Sequence, residues 1–157
     1  MYPLNLPEQA VLIGTLAPAS DAAGRTGNYV SLRNMIRAFV VFHVNQGNAA
    51  TVALSLSKAT AVAGTGATAV TELCRVWTSL DQATSHQFTR QPDAASFTTD
   101  AATKNKVVVI EVEPGRIGSY TAIAPVTGAS NAANITSALV YGVPRYAGAT
   151  VPNVLVD

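Results

Sequence analysis

The stretch IRAFVVFHVNQGNAATVALSLS, residues 36–57, carries the strongest folding signal in the chain. Two apolar runs, residues 36–44 and 51–56, flank the tetrapeptide NQGN at residues 45–48. Because Asn and Gly tolerate the positive φ angles of a tight reversal, this segment predicts a β-hairpin. The sequence is therefore expected to be organised around two neighbouring extended strands.

The first run is apolar on both of its faces. In an extended chain Val40, Phe42 and Val44 point to one side, while Phe39 and Val41 point to the other. Such a pattern is typical of a strand inside a sandwich or an interface rather than at an exposed edge.

The rest of the chain predicts further short strands separated by turn-forming residues. A loop is expected over residues 18–27, and Phe88 and Phe97 are expected on the two arms of a second hairpin around Pro92-Asp93. Residues 58–71 predict a strand, a Gly-rich loop at Gly64 and Gly66, and another strand. The remaining predicted strands cover residues 11–16, 28–32, 71–80, 106–113, 119–124 and 135–146.

About eight short strands between turn signals predict an all-β fold. We expect residues 1–157 to form a single-domain antiparallel β-sandwich or a jelly-roll-like barrel. Residues 1–10 contain two prolines and predict an extended N-terminal arm, and residues 147–157 predict a C-terminal tail that pairs with a sheet edge or docks on a neighbour.

The composition favours polar but uncharged surfaces. Of the 157 residues, 48% are hydrophobic and 12% are charged, and the net charge is +1. This charge gives no basis for nucleic-acid binding or membrane adsorption. It also gives weak protection against self-association, which suits a protein held in an assembly. The first residues lack the pattern of a secretory signal and no run is long enough to span a membrane, so we expect a soluble protein made in the cytoplasm.

No residue pattern predicts catalysis, a metal site or a cofactor. The single cysteine, Cys74, is interpreted as a small buried hydrophobe, and His43 as a half-buried strand residue without metal-type spacing to His86. Glu111 and Glu113 are expected about 7 Å apart on one exposed strand face, the ordinary result of alternation. We therefore predict that the protein is not an enzyme.

The sole tryptophan, Trp77, follows Val76 in a short apolar run and faces the opposite way if the run is extended. It is interpreted as an anchor of the core or of an interface.

Four phrases of the sequence resemble a family of small virion proteins of tailed bacteriophages, which are encoded with the head genes. The resemblance spans residues 28–146 and is carried by YVSLRN at 29–34, NQGNAATVAL at 45–54, TRQPDAASF at 89–97 and GASNAANI at 128–135. It implies a decoration or cement protein that binds the outer surface of the phage head and stabilises the shell. The expected location is therefore the virion head.

The resemblance also implies partners. These are the major capsid protein and copies of the chain itself, with a trimer favoured by analogy. We expect the apolar termini to make these contacts, although both termini closing the sheet of their own domain is an equal alternative. The candidate contact residues are Tyr2, Leu4, Leu6, Val151, Val154, Leu155 and Val156.

Two other classes of protein remain open from the sequence. A tail or head-to-tail joining protein would share this composition and would be distinguished by forming a symmetric ring. A carbohydrate-binding β-sandwich would need an exposed aromatic platform, whereas the five Tyr, four Phe and one Trp are assigned mostly to core positions of strands.

Overall fold

The structure is a computed structural model that describes residues 9–146 and Leu155. Two antiparallel sheets pack face to face, which confirms the predicted all-β sandwich. Within the described residues the strands are β1 (Val11–Ser20), β2 (Arg25–Thr26), β3 (Val30–Ser31), β4 (Met35–Gln46), β5 (Ala53–Ala59), β6 (Thr68–Ala69), β7 (Cys74–Ser79), β8 (Thr89–Ala94), β9 (Ser96–Thr98), β10 (Asn105–Val112), β11 (Ala122–Thr127) and β12 (Asn134–Pro144), with a 3₁₀ turn at Pro114–Arg116.

The first of the two sheets, which we call the front sheet, has six strands in the order β1-β12-β4-β10-β7-β8. The second, the back sheet, runs β2-β11-β5-β6, with β3 also pairing with β11 and β9 with β5. Strands from the beginning and the end of the chain therefore lie in each sheet.

The core lies between the two sheets and is built by period-two alternation. Val40, Phe42 and Val44 of β4 are fully buried, as are Leu54 and, within 1%, Leu56 of β5. All five side chains belong to one hydrophobic cluster. The second run, in which apolar and small polar residues alternate, therefore buries the face that its alternation predicts, whereas the first run is apolar on both faces and buries only one of them.

The predicted hairpin between these two runs is wrong. β4 pairs with β12 and β10 in the front sheet, whereas β5 pairs with β11, β6 and β9 in the back sheet. Residues 47–52 thus cross from one sheet to the other. The physical reason is that the buried faces of both strands meet across the sandwich, which two strands adjacent in one sheet cannot do.

The second predicted hairpin is wrong in the same way. β8 pairs with β7 in the front sheet and β9 pairs with β5 in the back sheet, so the chain changes sheets at Ala95. Phe88 precedes β8 and is 46% exposed, while Phe97 in β9 packs against the core.

Most other predicted strands are confirmed, with shifted ends. β1 continues through Ser20, so the loop predicted from residue 18 begins too early, and β11 lies three residues later than predicted. The Gly-rich loop is confirmed, because Gly64 and Gly66 have φ angles of 79° and 62° between β5 and β6.

No helix in the described part of the chain is long and apolar enough to cross a membrane. The predicted arm 1–10 and tail 147–157 lie, except for Gln9, Ala10 and Leu155, outside the described residues.

Candidate functional site

The outer face of the front sheet, which points away from the core, is apolar along its central strands. On β4 it presents Phe39 and Val41, both half-buried, and the exposed His43. β4 lies between β12 and β10, so these side chains sit in the middle of a wide sheet. The sequence predicted that this strand lies inside a sandwich or an interface and not at an exposed edge. Its central position in the front sheet confirms that it is not an edge strand.

Strand register aligns four apolar side chains in one row across this face. Leu139 of β12 is opposite Val41, Val41 is opposite Val109 of β10, and Val109 is opposite Trp77 of β7. Leu139 is 40% exposed and the other three are half-buried. We call Leu139, Val41, Val109 and Trp77 the apolar row. Directly opposed pairs of this kind are the unit that stabilises a sheet face.

An open groove lies at the β1 end of the apolar row. Its volume is about 600 Å³ and its walls are mostly apolar. β1 changes register against β12 between Leu16 and Ala19 where the groove runs. The lining residues are Thr15, Leu16, Ala17, Pro18, Val41, His43, Ser137 and Leu139.

Trp77 lies at the opposite end of the apolar row, where the side chain of Arg90 packs over its ring. The Arg90 guanidinium lies 5.3 Å from the centre of the indole ring, a cation–π contact. Trp77 was predicted to anchor either the core or an interface. It lies half-buried on the outer face, so it is not a residue of the core. Phe39 and Tyr141, opposite each other in register, lie on the same outer face. The expectation that aromatic residues mostly fill the core is wrong for these three.

A cluster of paired charges, three arginines and two glutamates, borders the apolar row. The Glu111 carboxylate accepts hydrogen bonds from Arg37 at 2.9 Å and from Arg75 at 3.2 Å. Glu113 pairs with Arg116 at 3.0 Å. Glu111 is only 7% exposed, so the prediction of an exposed carboxylate face is wrong at this residue. Arginines on the neighbouring strands cover it, and both carboxylates are held in ion pairs.

A buried polar network holds the loop after β9 against the start of the sheet-to-sheet crossover. The Lys106 ammonium, fully buried, donates to Gln46 Oε1 at 2.7 Å and to Asp100 Oδ1 at 2.6 Å. Its hydrogen bond lowers the pKa of Asp100 below the ordinary value of 3.8. Thr99 Oγ1 also donates to Gln46 Oε1, at 2.9 Å. Each polar group has a structural partner, and only the Asp100 carboxylate reaches the surface.

The side chains predicted to be chemically inert lie apart from one another. Cys74 is buried as predicted, and burial raises the pKa of its thiol to about 11. His43 is exposed rather than half-buried, because the groove leaves its side of β4 open, while His86 contacts Gln82 at 3.0 Å. Among the described residues no three His, Cys, Asp or Glu side chains group as metal ligands.

Of the contact residues predicted at the termini, only Leu155 is described, and it is 54% exposed. Tyr2, Leu4, Leu6, Val151, Val154 and Val156 lie outside the described residues. The sequence reasoning missed Leu139 as a surface residue, and alternation could not have found it, because the outward face of β12, with Ile135, Leu139 and Tyr141, is more apolar than the inward face.

The front sheet therefore offers an apolar face, a groove and a border of paired charges, an arrangement suited to contact with another folded surface. Comparisons with models of protein families, with curated proteins and with solved structures find no match.

Proposed function

We propose that this chain is a structural virion protein that decorates the outer surface of a tailed-phage head and stabilises its shell. The resemblance described above suggests this role. The observation that carries it is the apolar outer face of the front sheet, where Leu139, Val41, Val109 and Trp77 are aligned side by side. Exposed contiguous apolar surface on a soluble domain is characteristic of a protein–protein contact site.

A decoration protein acts by mass action. Anything that binds the assembled shell better than its separate subunits shifts the equilibrium against disassembly. A rigid sandwich suits this task, because little conformational entropy is lost when a preformed surface binds. The proposed partners are the major capsid protein and further copies of the chain, with the residues named at the two termini as candidate contacts.

The proposal is tested by mixing the purified protein with undecorated phage heads and pelleting the heads. We expect co-pelleting that saturates at a fixed ratio to the capsid protein. The temperature at which the heads release DNA should then rise with occupancy. Heads already saturated with unlabelled protein are the control, because they should not take up a labelled copy.

A tail or head-to-tail joining protein is the second candidate from the sequence. That class predicts a stable ring in light scattering and no binding to heads. Such a result, or heads whose stability does not change at saturation, contradicts the decoration role.

A further inference from the structure

We infer that the outer face of the front sheet is covered by the same face of a second copy, in a two-fold pair. The two-fold axis runs parallel to the strands, between β4 and β10. This inference goes beyond the proposed function, because of the two partners proposed above it assigns the apolar outer face to a second copy, which leaves contact with the head to another surface. It can be tested without any phage head.

The size of the face matches a stable contact. Six strands spaced about 4.8 Å apart span about 24 Å, and the 12 residues of β4 extend about 40 Å. These two lengths give roughly 960 Å² as an upper bound, because β7 and β8 have only 6 residues each, and a standard interface covers about 800 Å² on each partner. A smaller ligand would leave most of the apolar row exposed.

The charges of the face permit contact with an identical copy. Arg37 and Arg75 share the Glu111 carboxylate and Arg116 pairs with Glu113, so three arginines meet two carboxylates and each copy keeps one excess positive charge in this border. The whole chain has a net charge of only +1, so two copies repel each other weakly. A strongly charged partner would find no uncompensated cluster of opposite sign in this border.

The order of the strands makes the apolar row complementary to itself, whereas one row further along β4 the two-fold rotation places Phe39 over Glu111 of the other copy. Rotation about an axis between β4 and β10 places β7 over β12 of the other copy, and β4 over β10. Trp77 of each copy then faces Leu139 and the groove beside it in the other copy. Val41 faces Val109 in the same way. Each pair therefore contains two equivalent contacts, in which Trp77 of one copy meets the groove beside Leu139 of the other, as an isologous interface requires.

Face-to-face packing of aligned sheets is a common arrangement. Sheets stack about 10 Å apart with strands about 30° from parallel, and side chains from both faces interdigitate between them. The arrangement repeats between two copies the packing that joins the front and back sheets within one copy.

The test uses charge substitutions that should each weaken dimerisation alone and should restore it when the two variants are mixed. Leu139→Glu and Trp77→Lys each place two unpaired charges in the pair, and we expect each to weaken dimerisation by about 30-fold or more, the effect of losing a central contact. In a mixture of the two variants, each mixed pair brings the carboxylate introduced at position 139 of one copy against the ammonium introduced at position 77 of the other. The mixed pair also keeps one native contact between Trp77 and Leu139. Analytical ultracentrifugation should therefore detect mixed dimers.

A second pair of variants guards against a folding defect. Val41→Glu and Val109→Lys should show the same loss alone and the same recovery when mixed, and circular dichroism checks that each variant is folded. Thr68→Glu, exposed on β6 of the back sheet, is the matched control and should dimerise like the unmodified chain. Trp77 is the only tryptophan, so its emission should shift to shorter wavelength as the unmodified chain is concentrated.

Three results overturn the inference. One is a monomer at high protein concentration with no change in Trp77 emission. Another is a trimer, which the resemblance favours and a two-fold contact excludes. The last is dimerisation that the single variants leave intact or that mixing does not restore, because the contact would then use another face or another axis. None of these results decides whether the protein binds phage heads.

Discussion

Cys74 shows how burial controls a side chain that has no catalytic partner. Its pKa is raised to about 11, first by desolvation and then by the nearby Glu72 carboxylate. Thiols react as thiolates, and the thiolate is scarce at neutral pH when the pKa is this high. We expect the native protein to resist a maleimide reagent at pH 8 and to react completely in denaturant, as followed by mass spectrometry. Rapid labelling without denaturant would contradict the buried position.

The Asp100–Lys106 pair predicts how stability depends on pH. The pKa of Asp100 is lowered in the folded protein, chiefly by the hydrogen bond from Lys106. Between the folded and unfolded pKa values the unfolded chain binds more protons, so stability rises with pH there. This contribution is complete above the unfolded value of about 3.9 and is lost as the pH falls through the folded value.

Urea unfolding over a series of acidic pH values measures that contribution. We expect Asp100→Asn to lower stability near neutral pH, because the fully buried Lys106 loses its charged partner. The same substitution should flatten the acid limb of the stability curve. An acid limb identical to that of the unmodified chain would show that Asp100 is not responsible. Asp93→Asn is the control for the loss near neutral pH, because Asp93 pairs with Arg90 at the surface and its removal leaves no buried cation unpaired. The pKa of Asp93 is itself lowered by Arg90, so this variant does not serve as a control for the acid limb.

The crossover between β4 and β5 shows why the positions of strands were easier to predict than which strands pair with each other. Alternation within residues 51–56 identifies the buried side chains of the second run, and the structure confirms them, whereas residues 36–44 are apolar on both faces. The same buried pattern fits a strand paired with its neighbour or one facing it across the core. Only contacts distant in sequence separate these options, such as Asn134, whose Oδ1 accepts a hydrogen bond from Asn48 N at 2.8 Å.

Asn134 is therefore predicted to stabilise the crossover. It is fully buried, and its Nδ2 donates to Ala50 O at 2.8 Å and to Ser130 Oγ at 2.9 Å. Asn134→Ala removes all three hydrogen bonds and takes from the Asn48 N–H its acceptor, so it should cost about 1–3 kcal/mol of unfolding free energy. Asn131→Ala removes one exposed turn bond to Ala133 N and should cost less. Equal losses in denaturant unfolding would contradict the assigned role.

Gly47 is predicted to be required for close approach rather than for a tight turn. A Cβ at this position would lie 2.5 Å from the carbonyl oxygen of Ala133, and Gly47 is not among the glycines with positive φ. Gly47→Ala must therefore push the crossover away from residue 133 and should cost about 1–3 kcal/mol. Gly115→Ala is the control, because a Cβ there meets nothing within 4 Å. A Gly47→Ala variant as stable as the control would refute the close contact.

At the scale of the whole molecule, the candidate site depends on register that the sequence does not reveal. Phe39 and Val41 were assigned to one face of a strand from alternation alone. Their alignment with Leu139, Val109 and Trp77 requires β12 and β7 to flank the central pair, and those strands lie far apart in the chain. The apolar character of the face was therefore partly visible in the sequence, whereas its continuity and its groove were not.

The sandwich should unfold as one cooperative unit. β1 pairs with β12, near the two ends of the described chain, and both sheets bury their side chains in one cluster. Neither sheet can separate without exposing the other sheet's core, and a single domain of this size usually unfolds without stable intermediates. We expect Trp77 fluorescence, which reports on the front sheet, and far-ultraviolet circular dichroism to give the same midpoint in denaturant.

A Trp77→Phe/Phe97→Trp variant moves the fluorescent reporter to the back sheet, and its midpoint should again agree with that from circular dichroism. Measurement at low protein concentration keeps self-association from shifting the midpoints, and two separated transitions would contradict the shared core.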